Sequence, residues 1–309
     1  MKPDAVLEHA SLVLSGEQRN QYFDRGYLAV PGAISPQWVS RLKAAVAAVT
    51  DDSRKISTND AYFQLEEGHS ARTPRLHRLS SPQNYNPVFW EFLCSDEMTA
   101  LAADVVGPAV KFHHAKLNFK TGHGSRAFKW HQDIQAWPHT DYSPVTVGVY
   151  IDGCEADQGP LTMVPGSNHG PLYSMYDAAG NFAVKVRDED IAWLTPDMLD
   201  APTGPPGTAV LLNCRTIHGS VNNDSDRNRP LLLAVYSSAD SFSYTSSPID
   251  SPQLGAIVRG QPATYASFDD RPCELPPDWK RTGYAGPWKL QQDEEQHHRA
   301  EQVSKEVPS

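Results

Sequence analysis

The sequence predicts a mainly β (α+β) protein in which a jelly-roll-like domain follows a group of N-terminal helices. Three observations predict it. The hydrophobic period is near 3.6 as far as Val106 and changes to 2 from Val110 onward. Short extended runs then alternate with Gly, Pro, Asn and Asp, the punctuation of strands joined by turns. No G-x-G-x-x-G or G-x-x-x-x-G-K-[ST] run occurs, so nothing marks the alternating βαβ units of a nucleotide-binding fold.

The elements follow in chain order. Ser15-Gly-Glu-Gln18 has the form of a capping box and opens a short helix stopped at Gly26. Tyr27–Val30 is extended. Ser35 and Pro36 make an N-cap and first-turn pair, and Trp38, Val39, Leu42, Val46 and Val49 recur at helical spacing, so a helix runs to about Thr50. A third helix is predicted from Ser95 or Asp96 to Val106, with acidic residues in its first turn and Gly107 as its stop. The extended runs are Val110–Lys120, Ala127–Asp133, Val145–Asp152, Leu161–Val164, Thr208–Asn213 and Leu231–Ser238. After Asp240 periodicity is lost, and irregular chain is expected to wrap the domain. The organisation read from this pattern is one domain over residues 1–290, with its core at about 26–238. A polar tail, 291–309, follows, with a solvated His297-His298 pair.

Composition excludes several classes. Lys and Arg number 27 against 37 Asp and Glu, a formal charge of −10, and no basic block is present to neutralise phosphates, so no nucleic-acid partner is expected. The longest apolar stretches, such as Leu231–Tyr236, fall far short of the roughly 20 residues a membrane helix needs. The opening MKPDAVLEHASLVLSGEQ lacks a charged segment followed by an apolar one, so no membrane association and a cytoplasmic monomer or homodimer are expected. Cys94, Cys154, Cys214 and Cys273 stand singly, without C-x-x-C spacing, and read as ordinary thiols.

The chemistry concentrates in two His-x-Asp triplets, His131-Gln-Asp133 and His139-Thr-Asp141. With 12 His and 37 acidic residues about one such triplet arises by chance, so context must separate them. His131 lies in an extended run, where residues i and i+2 share a face and can hold one cation, whereas His139 follows Pro138 in a loop. The first pair is favoured. A facial site of two His and one carboxylate needs a third ligand from a distant strand, and His218, at the end of the run beginning at Leu211, supplies it. Eleven residues later Arg229 opens another strand, where its planar fork suits a carboxylate.

Together these segments resemble a known family. Trp130-His-Gln-Asp133, Pro138-His-Thr-Asp-Tyr-Ser-Pro144, Gly159-Pro-Leu-Thr-Met-Val-Pro-Gly-Ser167, His218-Gly-Ser-x-x-Asn and Arg229 look like the phytanoyl-CoA dioxygenase family of iron(II)- and 2-oxoglutarate-dependent oxygenases, which also contains ectoine hydroxylase. The resemblance covers roughly Gly26 to Ser238. It implies a double-stranded β-helix with Fe(II) held by His131, Asp133 and His218, 2-oxoglutarate as co-substrate and O2 as oxidant. It implies that Arg229, with Ser220, binds the distal carboxylate of 2-oxoglutarate. It also points to His114-Ala-Lys-Leu-Asn118, whose even-numbered residues His114, Lys116 and Asn118 would line the cavity from one strand face. Trp137 matches an aromatic near the metal in ectoine hydroxylase-like members and is expected beside the substrate.

The function expected from this resemblance is a dioxygenase that hydroxylates an unactivated C–H bond of a small metabolite and releases succinate and CO2. The retained carboxylate favours oxygenation over halogenation. The rival reading is a jelly-roll metal-binding or sensor protein without turnover, which would not need Arg229. A CoA thioester and a free metabolite both stay open as substrates. The connection Leu172–Pro206, unusually long for a compact domain, is expected to be a mobile cover over the cavity, with a rigid elaboration carrying a strand at Ala183–Val186 as the alternative.

Overall fold

The computed structural model describes residues 2–294 apart from 124, 126, 248, 250, 272–273, 280–282 and 284–285. Cys273 and the His297-His298 pair therefore lie outside the described residues.

The N-terminal part comprises α1 (Pro3–Leu7), α2 (Gly16–Arg25), β1 (Tyr27–Val30), α3 (Pro36–Ser53), β2 (Phe63–Leu65), β3 (Leu76–Ser80), α4 (Pro82–Tyr85), α5 (Pro87–Leu93) and α6 (Asp96–Val106). The capping box at Ser15 is present in both directions, since Gln18 N donates to Ser15 Oγ and Ser15 N to Gln18 Oε1. Gly26, at φ 77°, ends α2 in the left-handed region. Ser35 and Ser95 cap α3 and α6 as their positions predict, and Ser35 N donates to Glu97, which fixes the two helix starts together. The short α1, α4 and α5 and strands β2 and β3 are additions to the elements read from the sequence. Asp104 of α6 organises the N-terminal segment, its carboxylate accepting from the backbone N–H groups of Leu12, Val13 and Leu14.

The second half contributes β4 (Val110–Lys120), β5 (Phe128–His131), β6 (Val145–Tyr150), β7 (Leu161–Met163), β8 (Thr208–Asn213), β9 (His218–Ser220), β10 (Arg229–Ser238), β11 (Ile257–Arg259) and a final helix α7 (287–294). All pairings are antiparallel. The large sheet runs β1-β8-β6-β10-β4-β3-β2, with β11 also on β4, and the small sheet runs β5-β9-β7. This is the jelly roll expected, two sheets facing each other. The outer face of the large sheet carries Phe112, Ala115, Leu117 and Val147 into a core shared with Leu42 of α3 and Phe89 of α5. Its inner face, with the small sheet, encloses the cavity.

Three features differ from expectation. β5 stops at His131, and Asp133 already opens a 3-10 turn, so the run to Asp133 is a strand with a turn behind it. β8 ends at Asn213 and His218 begins a separate strand in the other sheet, five residues on. The chain after Asp240 is not wholly irregular: β11 pairs with β4, and α7 buries Gln291 at a position first read as polar tail. The Gln291 amide is what draws it inward, accepting from Lys129 N and donating to Val184 O.

Candidate metal and co-substrate site

His131 ends β5 and His218 starts β9, and the two are directly paired across the small sheet, which brings their rings to 4.0 Å between centroids. Asp133 comes from the turn after β5. The intervening Gln132 points the opposite way, where its side chain donates to Arg215 O and Pro171 O and accepts from Tyr173 N. Two backbone segments, 171–173 and Arg215, thus clamp Gln132, and its alternation with its neighbours aims His131 and Asp133 at one point.

Each histidine uses Nδ1 on a backbone carbonyl, His131 on Lys129 O and His218 on Thr216 O, both at 2.9 Å. A carbonyl only accepts, so Nδ1 carries the proton and Nε2 presents its lone pair. The Nε2 atoms lie 3.6 Å (His131) and 3.9 Å (His218) from Asp133 Oδ1. Among the described residues these three form the one group of His, Cys, Asp or Glu with ligand atoms close enough to hold an ion, all within 4.8 Å of one another and all buried.

Protonation agrees with that use. Burial, then the neighbouring His218, pushes His131 down to about 3, and burial also lowers His218. Burial alone would raise Asp133, but His218, Lys116, His131 and the Thr146 hydroxyl together hold it below the usual carboxylate range. Two neutral imidazoles and a carboxylate are the donor set of a facial non-haem iron site.

Arg229 lies in the same cavity, 2% exposed. Its Nη2 donates to Gly159 O at 2.9 Å, while Nε and Nη1 have no hydrogen-bond partner. A buried guanidinium with two of its three nitrogens unmet has donors in reserve for an anion such as a carboxylate. Gly159, at φ 64°, has no room for a side chain, since a Cβ there would stand 2.7 Å from Val221 O. Ser220, Lys116 and Asn118 line the cavity as expected. Burial pushes the Lys116 ammonium down to about 8, with Asp133 acting the other way, and Asn118 accepts from Arg78 Nε.

Two expected residues are placed elsewhere. His114 and Trp137 are not among the residues lining this cavity. In β4 the register shifts opposite Val235 and Tyr236, and the extra residue, His113, sits with its Nδ1 2.6 Å from His114 Nδ1. Both rings pack on Trp137, which is buried with Ile134, Cys214 and Val235 because the turn after Asp133 carries the chain away from the triad. His139, of the second triplet, joins this group through Trp137 O and not the triad. The expected cover also differs: no residue of 172–206 lines the cavity. That segment is tied to β5 by Val186 N on Trp130 O and packs Met175, Phe182 and Val184 against Trp279. Ala183–Val186 forms no strand.

Sequence reasoning missed Thr146, whose hydroxyl holds Asp133 Oδ2, and the flank made by His77, Arg78, Phe128 and Trp288. His77 stacks on Trp288 of α7 at 4.8 Å, with burial pushing it down to about 3. Nothing local marks these residues, since strand β3 and helix α7 come from opposite ends of the chain.

Comparison with known proteins places these observations. The family model for phytanoyl-CoA dioxygenase (PhyH) matches residues 22–231. A probable alpha-ketoglutarate-dependent hypophosphite dioxygenase of Stutzerimonas stutzeri is 27% identical over 263 residues, covering 84% of this chain and 91% of that protein. L-proline trans-4-hydroxylase of Streptomyces griseoviridis is 26% identical over 70% of this chain and 84% of its own. The crystal structure of EctD from S. alaskensis with 2-oxoglutarate and 5-hydroxyectoine superposes with a TM-score of 0.62 at 21% identity, covering 85% and 92% of the two chains. The carbocyclase SnoK from nogalamycin biosynthesis gives 0.59 at 20% identity, covering 75% and 89%. At these identities the two structures establish a shared fold.

Proposed function

The chain belongs to the phytanoyl-CoA dioxygenase family, and from that premise we propose how its residues carry out an iron- and 2-oxoglutarate-dependent oxidation of a small molecule. His131, Asp133 and His218 hold the metal. When bound, iron and 2-oxoglutarate supply the oxidising chemistry: O2 and the oxo acid yield succinate and CO2, and a substrate C–H bond is hydroxylated. Arg229, whose Nε and Nη1 are unpartnered, receives the distal carboxylate, with Ser220 beside it, and Asn118 and Lys116 face the co-substrate from β4.

The protein's own part is placement and exclusion. Thr146 and the two backbone carbonyls on the histidines fix the ligand atoms before any ion arrives, which is the geometry-setting role expected around a catalytic metal. Leu161, Leu231 and Leu233 wall the cavity and keep water from the reacting centre.

The observation that carries this reading is the pairing, in one cavity, of a two-histidine, one-carboxylate triad with a buried arginine that has two nitrogens unmet. A metal-binding module without turnover has no use for that arginine. No described helix is long and apolar enough to cross a membrane, and the reading carries a cytoplasmic address and a monomer or homodimer with it. The test is succinate formation that requires both added iron and 2-oxoglutarate in wild-type protein. Arg229→Met should raise the 2-oxoglutarate requirement by about two orders of magnitude or more, in line with about 3 kcal/mol for removing a charge-assisted hydrogen bond inside a protein. Unchanged co-substrate dependence in that variant removes Arg229 from the role.

A further inference from the structure

We propose that Arg215 is a positioning residue for the metal centre: its guanidinium fastens the turn 214–216 to the loop 168–173, and the two together aim His131, Asp133 and His218 at one ion. The inference rests on the dioxygenase reading and deepens it, adding a residue that does not itself line the cavity.

β8 ends at Asn213 in the large sheet and β9 begins at His218 in the small one, and the residues between them belong to no strand. Three consecutive carbonyls of this turn serve the site. Cys214 O accepts from Ile134 N at 2.9 Å, Arg215 O from Gln132 Nε2 at 2.7 Å and Thr216 O from His218 Nδ1 at 2.9 Å. The first two donors flank Asp133 in sequence, and the third sets the ring of His218. A shift of the turn therefore reaches His131 and Asp133 through Gln132, and His218 through its own ring.

With no ladder to hold it, the turn depends on side-chain bonds, and Arg215 makes those that reach the facing loop. Only 5% exposed, it donates from Nε to Asn168 O at 2.8 Å and from Nη2 to Gly170 O. The next residues of that loop are the other half of the Gln132 clamp, Pro171 O accepting from the amide and Tyr173 N donating to it. One residue thus lends Gln132 a carbonyl and fixes the loop that supplies the remaining contacts. The guanidinium also lies 4.5 Å from the centroid of the Tyr142 ring, which limits its tilt. A planar fork held on two carbonyls and one ring keeps a direction that a single flexible donor does not.

Closing a turn is enough for folding, whereas a metal site needs its ligand atoms held to within about 0.5 Å. That difference separates a positioning role from a structural one and sets the test. Co(II) alone is the probe, because its visible absorption reports the geometry of its ligands. Wild type, Arg215→Met, Gln132→Met and the double variant are titrated where circular dichroism shows each to be folded. Arg215→Met should weaken Co(II) binding about ten-fold or more and alter the visible bands. The loss in the double variant should fall short of the product of the single losses by about threefold or more, because both substitutions loosen one clamp.

Arg19→Met is the structural control. Arg19 is equally buried, at 5% exposure, and holds Val6 O, His9 O and Asp104 O away from the triad. Its loss should lower the urea midpoint and leave Co(II) affinity within about twofold. Should Arg215→Met not fold, Arg215→Gln, too short to reach both carbonyls, takes its place with an expected loss of about threefold or more.

Unchanged Co(II) affinity and bands in the folded Arg215 variant overturn the proposal. Single losses that multiply in full overturn action through the Gln132 clamp, and an equal loss of affinity in Arg19→Met overturns a positioning role in favour of general destabilisation. Failure of wild-type protein to bind Co(II) stoichiometrically overturns the dioxygenase reading and this inference with it. Wild-type binding that the Arg215 variant matches overturns this inference alone.

Discussion

Thr146 Oγ1 donates to Asp133 Oδ2 at 2.9 Å, a bond from the middle of the large sheet to the metal-binding turn of the small one. It occupies one carboxylate oxygen and leaves Oδ1 turned toward His131 and His218. The hydroxyl thereby sets which oxygen meets the ion.

Thr146→Val keeps the shape and removes the donor. Iron affinity should fall by about 10- to 100-fold, the usual cost of losing an outer hydrogen bond to a metal ligand, while folding stability drops by about 1 kcal/mol. Iron titration monitors the first and denaturant unfolding the second. Thr146→Ser, which restores the hydroxyl, should recover most of the affinity; if valine binds iron as tightly as threonine, the bond has no part in orienting Asp133.

Replacing His131, Asp133 or His218 by Ala removes one of three protein ligands and should abolish stoichiometric iron binding. His139→Ala should leave iron content within about twofold of wild type, because His139 is bound to Trp137 O and packed on His113, away from the triad. Metal analysis of the purified variants distinguishes the two triplets directly. Loss of iron in His139→Ala together with its retention in His131→Ala would place the metal elsewhere.

Gly26 links the N-terminal helix to the metal site. Its φ of 77° disfavours any side chain, and a Cβ would collide with Thr216 Oγ1 and stand 2.6 Å from Asn168 Oδ1. Thr216 donates its hydroxyl to Gly26 O and lends its own carbonyl to His218 Nδ1. Gly26→Ala is therefore expected to cost about 1 to 3 kcal/mol of stability and also to loosen iron binding, although it lies far from His218 in sequence. Denaturant titration with and without iron should show a smaller iron-induced stabilisation in the variant. Equal stabilisation in both proteins would uncouple Gly26 from the ligand.

Acid should unfold the metal-free protein early. Burial holds His77 and His131 near 3 and His139 near 4, against about 6.5 in an unfolded chain. Between those values the unfolded chain binds protons that the folded one refuses, so stability is present above about pH 6.5 and is lost as pH falls toward 4. Each such histidine contributes about 1.4 kcal/mol per pH unit within the window, and with His113 and His114 also held well below 6.5 by burial the uptake on unfolding is three protons or more. The pH dependence of the urea midpoint measures that slope; a flat profile between pH 6.5 and 4.5 would contradict neutral buried histidines.

The fold was legible wherever a local signal was complete. The helices ending at Gly26 and starting at Ser35 and Ser95 carry their own caps, and β4 and β8 match their expected limits residue for residue. The three-residue strands β7 and β9 are too short to express a period on their own, so β9 went unrecognised as a strand even though His218 was identified. Within the site, Arg229 stood out as a strand-opening guanidinium, whereas Ser220, Lys116 and Asn118, which line the same cavity, were reached only through the family resemblance. Trp288, His77 and Thr146 were not legible, since each acquires its place only through contacts made across the whole chain. His114 shows a limit of alternation: it shares a face with Lys116 and Asn118, but it lies farther along β4, opposite Val235, where Trp137 packs against it.

Gln291 binds Lys129 N across 162 residues of sequence. Lys129 belongs to the strand that ends in His131, so this strand gains its last backbone partner from the most distant described helix. Contacts of such separation close large loops and form late, after local helices and hairpins are in place. The strand that carries His131 is thus completed by chain from far along the sequence, so trimming the protein before Gln291 would strip a partner from the backbone two residues ahead of the metal ligand.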